Sequence, residues 1–187
     1  GVFTLELERV FVELGVAPQP GHKTSADPLR VAPLKLPEGR HAIWDCLRSS
    51  PLARSNLAVI GPPGCGKTTL LKHMALTLTA ARKHRRRLKA PDKLPILLFL
   101  RDHAKRIQED PALSVAQAVR DALAKQRGPE APRDWFARQL ERGRCLIMLD
   151  GLDEVGDLDA RRQVVDWVER EMTACGKNRF VVTSRPY

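Results

Sequence analysis

A glycine-rich stretch of the chain has the residue types and spacing that bind phosphate. Gly61, Gly64 and Gly66 permit positive φ angles and leave space for successive backbone N–H groups to converge on phosphate oxygens at a helix start. Lys67 can place its ammonium beside the terminal phosphates of a nucleotide, and the Thr68 hydroxyl is suited to ligate Mg²⁺. A glycine–proline turn that merely precedes a helix is the weaker interpretation, because the whole pattern is present.

The segments on either side of this phosphate loop support the same interpretation. Residues 57–60 form a short apolar run typical of a buried parallel strand, and residues 69–76 have helical periodicity. Strand, glycine loop and helix is the order that a nucleotide-phosphate site requires. The predicted nucleotide contacts are Gly61, Pro62, Pro63, Gly64, Cys65, Gly66, Lys67, Thr68 and Thr69.

A carboxylate follows a second apolar run. Residues 145–149 are apolar and end in Asp150, as expected for a buried strand that delivers an acid to the ligand-binding edge of an open parallel sheet. An isolated acid in such a position is more often a turn residue or a helix N-cap. Its combination with the phosphate loop instead predicts that Asp150 and Thr68 hold Mg²⁺.

Two more acids and a distant arginine are predicted to act in catalysis with Lys67. Asp150, Asp153 and Glu154 should repel one another unless a cation or a hydrogen-bond network offsets their charge. Glu154, with Asp153 beside it, is predicted to orient or deprotonate an attacking water, and Arg185 to contact the terminal phosphate. The alternatives are an acidic loop that caps the next helix and, for Arg185, a surface ion pair.

These motifs together resemble the NACHT NTPases, a branch of the signal-transducing STAND class that includes animal NOD-like receptors and many bacterial defence proteins. The resemblance is carried first by Asp150-Gly151-Leu152-Asp153-Glu154 after four apolar residues. Residues 94–101 look like the strand that the family places between the phosphate loop (Walker A) and the Asp150 segment (Walker B), and residues 180–186 look like its sensor strand. It covers the chain from about residue 38 to its end. It implies an ATP-binding and hydrolysing core of a switch that controls homo-oligomerisation in immune or antiviral defence signalling.

The resemblance also divides the chain. Residues 38–187 match the P-loop NTPase core, whereas residues 1–37 are expected to hold an edge strand at 2–12 and an irregular segment at 18–37. Full-length STAND proteins continue into a small helical lid and a winged helix, and this sequence ends at Tyr187. The expectation is therefore a core without its lid, in which hydrolysis is weak.

Composition is that of an ordinary globular domain. The chain has 187 residues, 43% of them hydrophobic, which suits one domain with a proper core. Its longest apolar runs are far shorter than the roughly 20 residues of a membrane span, and no secretory signal is visible. The widely spaced Cys46, Cys65, Cys145 and Cys175 favour reduced thiols over a disulfide or zinc framework, and hence a cytoplasmic setting without a membrane partner.

The net charge of +10 raises the question of a nucleic-acid partner. Much of the excess lies at 82–89, a run of arginines and lysines that could neutralise phosphates. The run has no aromatic residue to stack a base and leads into a Pro-Asp-Lys turn, so a solvated helix end and loop is the favoured interpretation. Nucleic acid remains an option that the sequence does not favour.

Two other functions compete with the ATP-driven switch. An AAA-type ATPase acting on nucleic acid would use the basic run, but such proteins usually place the catalytic acid directly after the metal-binding acid. A nucleotide-binding assembly scaffold with negligible turnover is the second. The phosphate loop does not distinguish bases; ATP is preferred by family and because the guanine-reading Asn-Lys-x-Asp string is absent from the sequence.

Strands that alternate with helices predict an α/β fold, a three-layer P-loop NTPase core in which helices cover both faces of a mainly parallel sheet. A short helix is expected at 41–48, where Ile43 and Trp44 either contact the base or, more in keeping with their types, pack in the core. Ser114 and Gln117 form a capping-box pattern for a helix to 126. Further helices are predicted at 133–142 and at about 159–174.

Overall fold

The described residues fold around a four-stranded parallel sheet. The computed structural model describes residues 41–48, 56–126, 131–132 and 134–186. In chain order the strands are β1 (Leu57–Ile60), β2 (Leu94–Phe99), β3 (Cys145–Asp150) and β4 (Arg179–Ser184). Their order in the sheet is β1-β4-β3-β2, with every neighbouring pair parallel.

Helices connect the strands and cover the sheet. They are α1 (Ile43–Arg48), α2 (Lys67–Thr79), α3 (Arg82–Arg87), α4 (Leu100–Glu109), α5 (Val115–Lys125), α6 (Trp135–Glu141) and α7 (Leu158–Ala174), with a 3₁₀ turn at Leu152–Glu154. Within the described ranges, none of them combines the length and apolar character that crossing a bilayer requires.

The central strand β3 separates two hydrophobic layers because its side chains alternate between the faces of the sheet. Leu146 and Met148 pack with residues of α1 and α2. Ile147 and Leu149 pack with residues of α4, α5, α6 and α7 on the other face. All six β3 residues are buried, and each large apolar side chain removed from water contributes about 1.5–3 kcal/mol. The predicted α/β core with helices on both faces is confirmed.

The strand order brings the predicted site residues to one edge. Since β4 lies between β1 and β3, the carboxyl ends of these three strands are neighbours. Ile60 is in register with Ser184, and Leu149 with Val182. The phosphate loop after β1, the end of β4 and Asp150 therefore meet at the edge where open parallel sheets bind ligands.

The expected strand at 94–101 is too long at its carboxyl end. It stops at Phe99, and Leu100 and Arg101 open helix α4, which the sequence did not predict. The buried positions of this helix are Leu100, His103 and Ile107, which lie three and four residues apart as one helical face requires. Because the middle position is a histidine, the apolar stripe is incomplete in the sequence. Burial lowers the pKa of His103, as does the nearby Lys125, so its ring is held neutral in the core.

Other predicted elements match closely. Ser114 caps α5 through the expected capping box with Gln117. The helices predicted at 41–48, 133–142 and 159–174 are found as α1, α6 and α7. Ile43 and Trp44 are 4% exposed and pack in the core, as their types favoured. The predicted strand at 2–12 and the segment at 18–37 lie outside the described residues.

Helix α7 departs from prediction in one side chain. Glutamates of an amphipathic helix ordinarily face outward, but Glu171 is 6% exposed. Its Oε2 accepts a hydrogen bond of 2.9 Å from the N–H of Val115, the first residue of α5. A carboxylate at a helix start both satisfies an unpaired N–H and complements the helix dipole. Glu171 therefore fixes α5 against α7.

We expect Glu171→Ala to destabilise the fold measurably. The substitution leaves the buried Val115 N–H without its acceptor, which costs about 1–3 kcal/mol. For a domain of this size, Tm falls by about 2–4 °C per kcal/mol. Thermal unfolding followed by circular dichroism measures the change. Glu171→Gln keeps a carbonyl acceptor and should lose less than half as much; an equal loss in both variants would contradict the role of this hydrogen bond.

Candidate functional site

The phosphate loop joins β1 to α2 through backbone that only glycine adopts readily. Gly64 and Gly66 have φ angles of 73° and 91°, and Gly66 is the N-cap of α2. At Gly61, a Cβ would lie 2.6 Å from Cys65 Sγ, so a side chain there would require the exposed Cys65 side chain to move. Pro62, Pro63, Gly64, Cys65 and Thr69 are exposed. The first N–H groups of α2 have no partner within the helix and are free to bind an anion.

Lys67 lies across its own loop. Its Nζ donates hydrogen bonds to Gly61 O (2.6 Å) and Pro62 O (3.0 Å). These carbonyls hold the ammonium at the mouth of the loop, close to the N-terminus of α2. A lysine held in this way is positioned to exchange weak carbonyl partners for phosphate oxygens, which form stronger charge-assisted bonds.

Asp150 connects the phosphate loop to the sheet. Its carboxylate is buried, with the residue 4% exposed. Thr68 Oγ1 donates to one carboxylate oxygen (2.6 Å), and Thr183 Oγ1, from β4, donates to the other (2.6 Å). Thr183 Oγ1 in turn accepts from the N–H of Gly151 (2.8 Å). The two residues predicted to share a metal ion therefore lie in direct contact, although they are far apart in the sequence.

Asp153 and Arg185, both predicted to be catalytic, form an ion pair. Arg185 Nε lies 2.7 Å from Asp153 Oδ2, and the Arg185 N–H donates to Asp153 Oδ1 (3.0 Å). The Asp153 side chain is 8% exposed, whereas that of Arg185 is 50% exposed. Arg161 supports the turn by donating to the backbone carbonyls of Asp153 and Val155. The Asp153 carboxylate is thus fully engaged with the end of β4.

Glu154 has a different partner. Its Oε2 lies 2.8 Å from Nη1 of Arg101, the second residue of α4. The carboxyl group lies back over Gly151, where a Cβ would be 3.0 Å from Glu154 Cδ. Gly151 has a φ of 78°, a left-handed conformation that favours glycine. The backbone at Gly151 and the guanidinium of Arg101 together fix the direction of this acid.

Neither of the acids after Asp150 caps the next helix. That role belongs to Asp157, whose Oδ2 accepts from the Ala160 N–H (3.1 Å) at the start of α7. The alternative interpretation of Asp153 and Glu154 as capping residues is therefore wrong.

The comparison with family models agrees with this arrangement. The model of the NACHT domain matches residues 55–187. The chain belongs to the NACHT family. Comparisons with curated proteins and with solved structures gave no match. NACHT domains are NTPase modules, so the chain is a nucleotide-binding module built on a P-loop core.

Three side chains at this NACHT site are not among the functional residues predicted from the sequence. Arg101 and Thr183 make the contacts described above. Ser184 Oγ is buried and has no hydrogen-bond partner among the described residues, and Ser184 O accepts from the Gly61 N–H (3.2 Å). The position of Arg101 makes it a candidate by the same rule as Asp150. Asp150 is the last residue of β3, and Arg101 lies two residues after the end of the neighbouring parallel strand β2.

The residues of the NACHT site fit a nucleotide with a magnesium ion. Thr68 and Asp150 supply oxygen atoms, which Mg²⁺ prefers as ligands. Lys67 and the free N–H groups of α2 supply donors for phosphate. The buried hydroxyl of Ser184 next to Gly61 is a polar group without a hydrogen-bond partner among the described residues, and such groups in native structures call for a partner.

We expect phosphate binding to protect Cys65 from alkylation. Cys65 is exposed in the phosphate loop, whereas Cys46 and Cys145 are buried. Burial raises the pKa of Cys145 and of Cys175 to about 11. This is about two units above the ordinary pKa of a thiol, so near neutral pH the reactive thiolate fraction of each is about 100-fold lower than that of an ordinary cysteine. Iodoacetamide followed by peptide mass spectrometry should label Cys65 first, and saturating Mg–ATP should slow that labelling.

Adenosine is the control for this experiment, because it carries the base and ribose without phosphates. It should leave the Cys65 labelling rate unchanged. A rate that ATP does not alter would show that the loop around Cys65 is not where phosphates bind.

Proposed function

We propose that this NACHT domain binds ATP with Mg²⁺, hydrolyses it, and serves as the nucleotide switch of a larger signalling protein. The contact between Thr68 and Asp150 carries the proposal, because it joins the phosphate loop to the acid of β3 at 2.6 Å. These are the two groups that a phosphate-bound magnesium ion requires together. ATP is favoured over GTP because the sequence lacks the guanine-reading Asn-Lys-x-Asp string.

Control of homo-oligomerisation in immune or defence signalling rests on the resemblance to STAND proteins. The core at 38–187 would supply the nucleotide-dependent part of such a protein, working inside the cytoplasm. In STAND proteins a lid and a winged helix complete the nucleotide site.

Binding and hydrolysis would use different residues of the site. Lys67 and the loop N–H groups would hold the phosphates, and Thr68 and Asp150 would hold Mg²⁺, which supplies positive charge to the phosphate oxygens. Glu154 would accept a proton from the attacking water as the water oxygen bonds to the terminal phosphorus. The bond to the bridging oxygen breaks, and ADP and phosphate are the products. Arg185 would stabilise charge on the transferred phosphoryl group.

The two acids proposed for catalysis are both engaged in ion pairs, which would affect whether hydrolysis can proceed. Glu154 is paired with Arg101 and Asp153 with Arg185. To accept a proton through Oε2, Glu154 would have to give up its contact with Arg101. The same observation favours the second candidate function, a nucleotide-binding scaffold with negligible turnover, in which these pairs persist after ATP binds.

We expect Lys67→Ala to abolish or severely weaken ATP binding. The substitution removes a charge-assisted contact to phosphate, which contributes about 1.5–3 kcal/mol and so at least about tenfold in Kd. Isothermal titration calorimetry with Mg–ATP measures the change. Lys72→Ala is the matched control, since Lys72 is exposed on the same helix and lies over the Phe99 ring. Unchanged affinity in Lys67→Ala would remove this lysine from the site.

We expect Glu154→Gln to bind ATP and to hydrolyse it at least about 100-fold more slowly, because general-base catalysis contributes about 10²–10⁴ in rate. Phosphate release under single-turnover conditions measures hydrolysis, and calorimetry measures binding. Asp159→Asn is the control, an exposed acid in the first turn of α7. Equal turnover in Glu154→Gln and in the unmodified chain would exclude Glu154 as the base. Negligible turnover in the unmodified chain, with tight ATP binding, would support the nucleotide-binding scaffold.

A further inference from the structure

The edge of the sheet opposite the nucleotide site is strongly basic. Lys93 directly precedes β2, Arg144 directly precedes β3, and Lys177 lies two residues before β4. The strand register aligns Leu94 with Cys145 and Leu146 with Arg179, so these cations follow one another across three adjacent strands. We call the whole surface the basic edge; it comprises Arg82, Lys83, Arg86, Arg87, Lys89, Lys93, Arg142, Arg144 and Lys177.

Direct contacts join α3 to the strand starts. Arg85 of α3 pairs with Asp92 at 2.9 Å, immediately before Lys93. Lys93 Nζ donates to the carbonyl of Gly143. Gly143 in turn lies against Lys177, because a Cβ on this glycine would be 2.6 Å from Lys177 O. The basic run seen in the sequence and the cations of three strands therefore form one surface.

The basic edge carries more positive charge than its neighbours neutralise. Its residues other than Lys93 are exposed, and helix α3 buries none of its side chains. Among the carboxylates near this edge, Asp92 is paired with Arg85 and Glu141 is exposed. Glu171, which lines a pocket with Glu141 and Lys177, is engaged by the Val115 N–H. Such a surface creates a positive potential that attracts an extended polyanion.

We propose that the basic edge binds the phosphate backbone of double-stranded nucleic acid. Adjacent strands are about 4.8 Å apart, so the three strand-start cations span about 10 Å. A duplex presents one negative charge per roughly 1.7 Å of its axis, so that span faces several phosphates. Five of the nine residues of the basic edge are arginines. The planar guanidinium group of an arginine can bind two phosphate oxygens at once.

The composition of the edge favours a duplex over a single strand or a membrane. Single strands are bound by aromatic side chains that stack on bases, and the basic edge contains none. A membrane surface is usually engaged by apolar side chains that enter the lipid as well as by charge. Of the large hydrophobic residues exposed in the described chain, Ile60 ends β1 and Leu158 begins α7, at the nucleotide-site edge. Leu76, in the last turn of α2, is a single residue rather than an apolar patch. A duplex backbone requires only the cations.

This surface is separate from the phosphate loop. Helix α2 has 13 residues and runs from the loop toward the basic run, which corresponds to about 20 Å. Duplex binding should therefore persist when the loop is disabled, and the two proposals can fail independently.

Fluorescence anisotropy of the 187-residue chain with a short labelled duplex, over a series of salt concentrations, tests the proposal. We expect the logarithm of the association constant to fall linearly with the logarithm of the salt concentration. The slope of this line should become shallower by about 0.9 for each phosphate contact that a substitution removes. Arg86→Glu/Arg87→Glu and Arg144→Glu/Lys177→Glu should each weaken binding at least tenfold and flatten the slope. Thermal melts and ATP titrations establish that each variant is folded.

Lys105→Glu/Arg162→Glu is the matched control, because it makes the same change in net charge at two exposed residues of α4 and α7 outside the basic edge. Its affinity should stay within about twofold of the parent. Lys67→Ala and saturating Mg–ATP should also leave duplex binding unchanged.

The proposal is overturned if the control variant loses as much affinity as the edge variants, since net charge alone would then explain binding. Loss of binding in Lys67→Ala would place the nucleic acid at the phosphate loop instead. Binding to phosphatidylserine vesicles without binding to the duplex would assign the edge to a membrane surface, and no binding to either at low salt would leave it without a polyanionic partner.

Discussion

The site depends on one buried carboxylate that receives two hydroxyl hydrogen bonds. Asp150 is almost fully removed from water, and a buried charge without partners costs several kcal/mol. Thr68 and Thr183 provide those partners from the start of α2 and from β4. Three elements distant in sequence must therefore meet within hydrogen-bond distance. Because β4 lies between β1 and β3, the phosphate loop after β1, Thr183 of β4 and Asp150 of β3 lie at neighbouring strand ends.

Much of this could be predicted from the sequence because the signals are local. The apolar runs at 57–60 and 145–149 identify buried strands, the glycines identify the loop, and Ser114 with Gln117 identifies a helix start. Helix α4 was missed because His103 occupies one of its inward positions. The contacts of Glu171 with Val115 and of Glu154 with Arg101 join residues more than fifty positions apart. No local pattern reports such a pair, since Glu171, Glu154 and Arg101 are ordinary surface residues by type and Val115 contributes only its backbone N–H.

The two ion pairs of the site differ in exposure. The pair between Arg101 and Glu154 is open to water on both sides, with side chains 58% and 35% exposed, and exposed ion pairs contribute only about 0–1 kcal/mol. A bound terminal phosphate carries enough charge to compete for either guanidinium. Asp153 is the better shielded of the two acids, so its pair with Arg185 should be the more persistent, and Glu154 is the acid that can be released at lower cost.

Gly151 illustrates how closely the chain path and the chemistry are joined. A left-handed conformation costs an ordinary residue only about 1–2 kcal/mol, which is small beside the 5–15 kcal/mol that stabilise a typical domain. Yet a methyl group at this position would press against the carboxyl of Glu154. A side chain at this position would therefore displace the Glu154 carboxyl group at a small cost in folding free energy. The absence of a side chain at position 151 matters more for where this acid lies than for the stability of the fold.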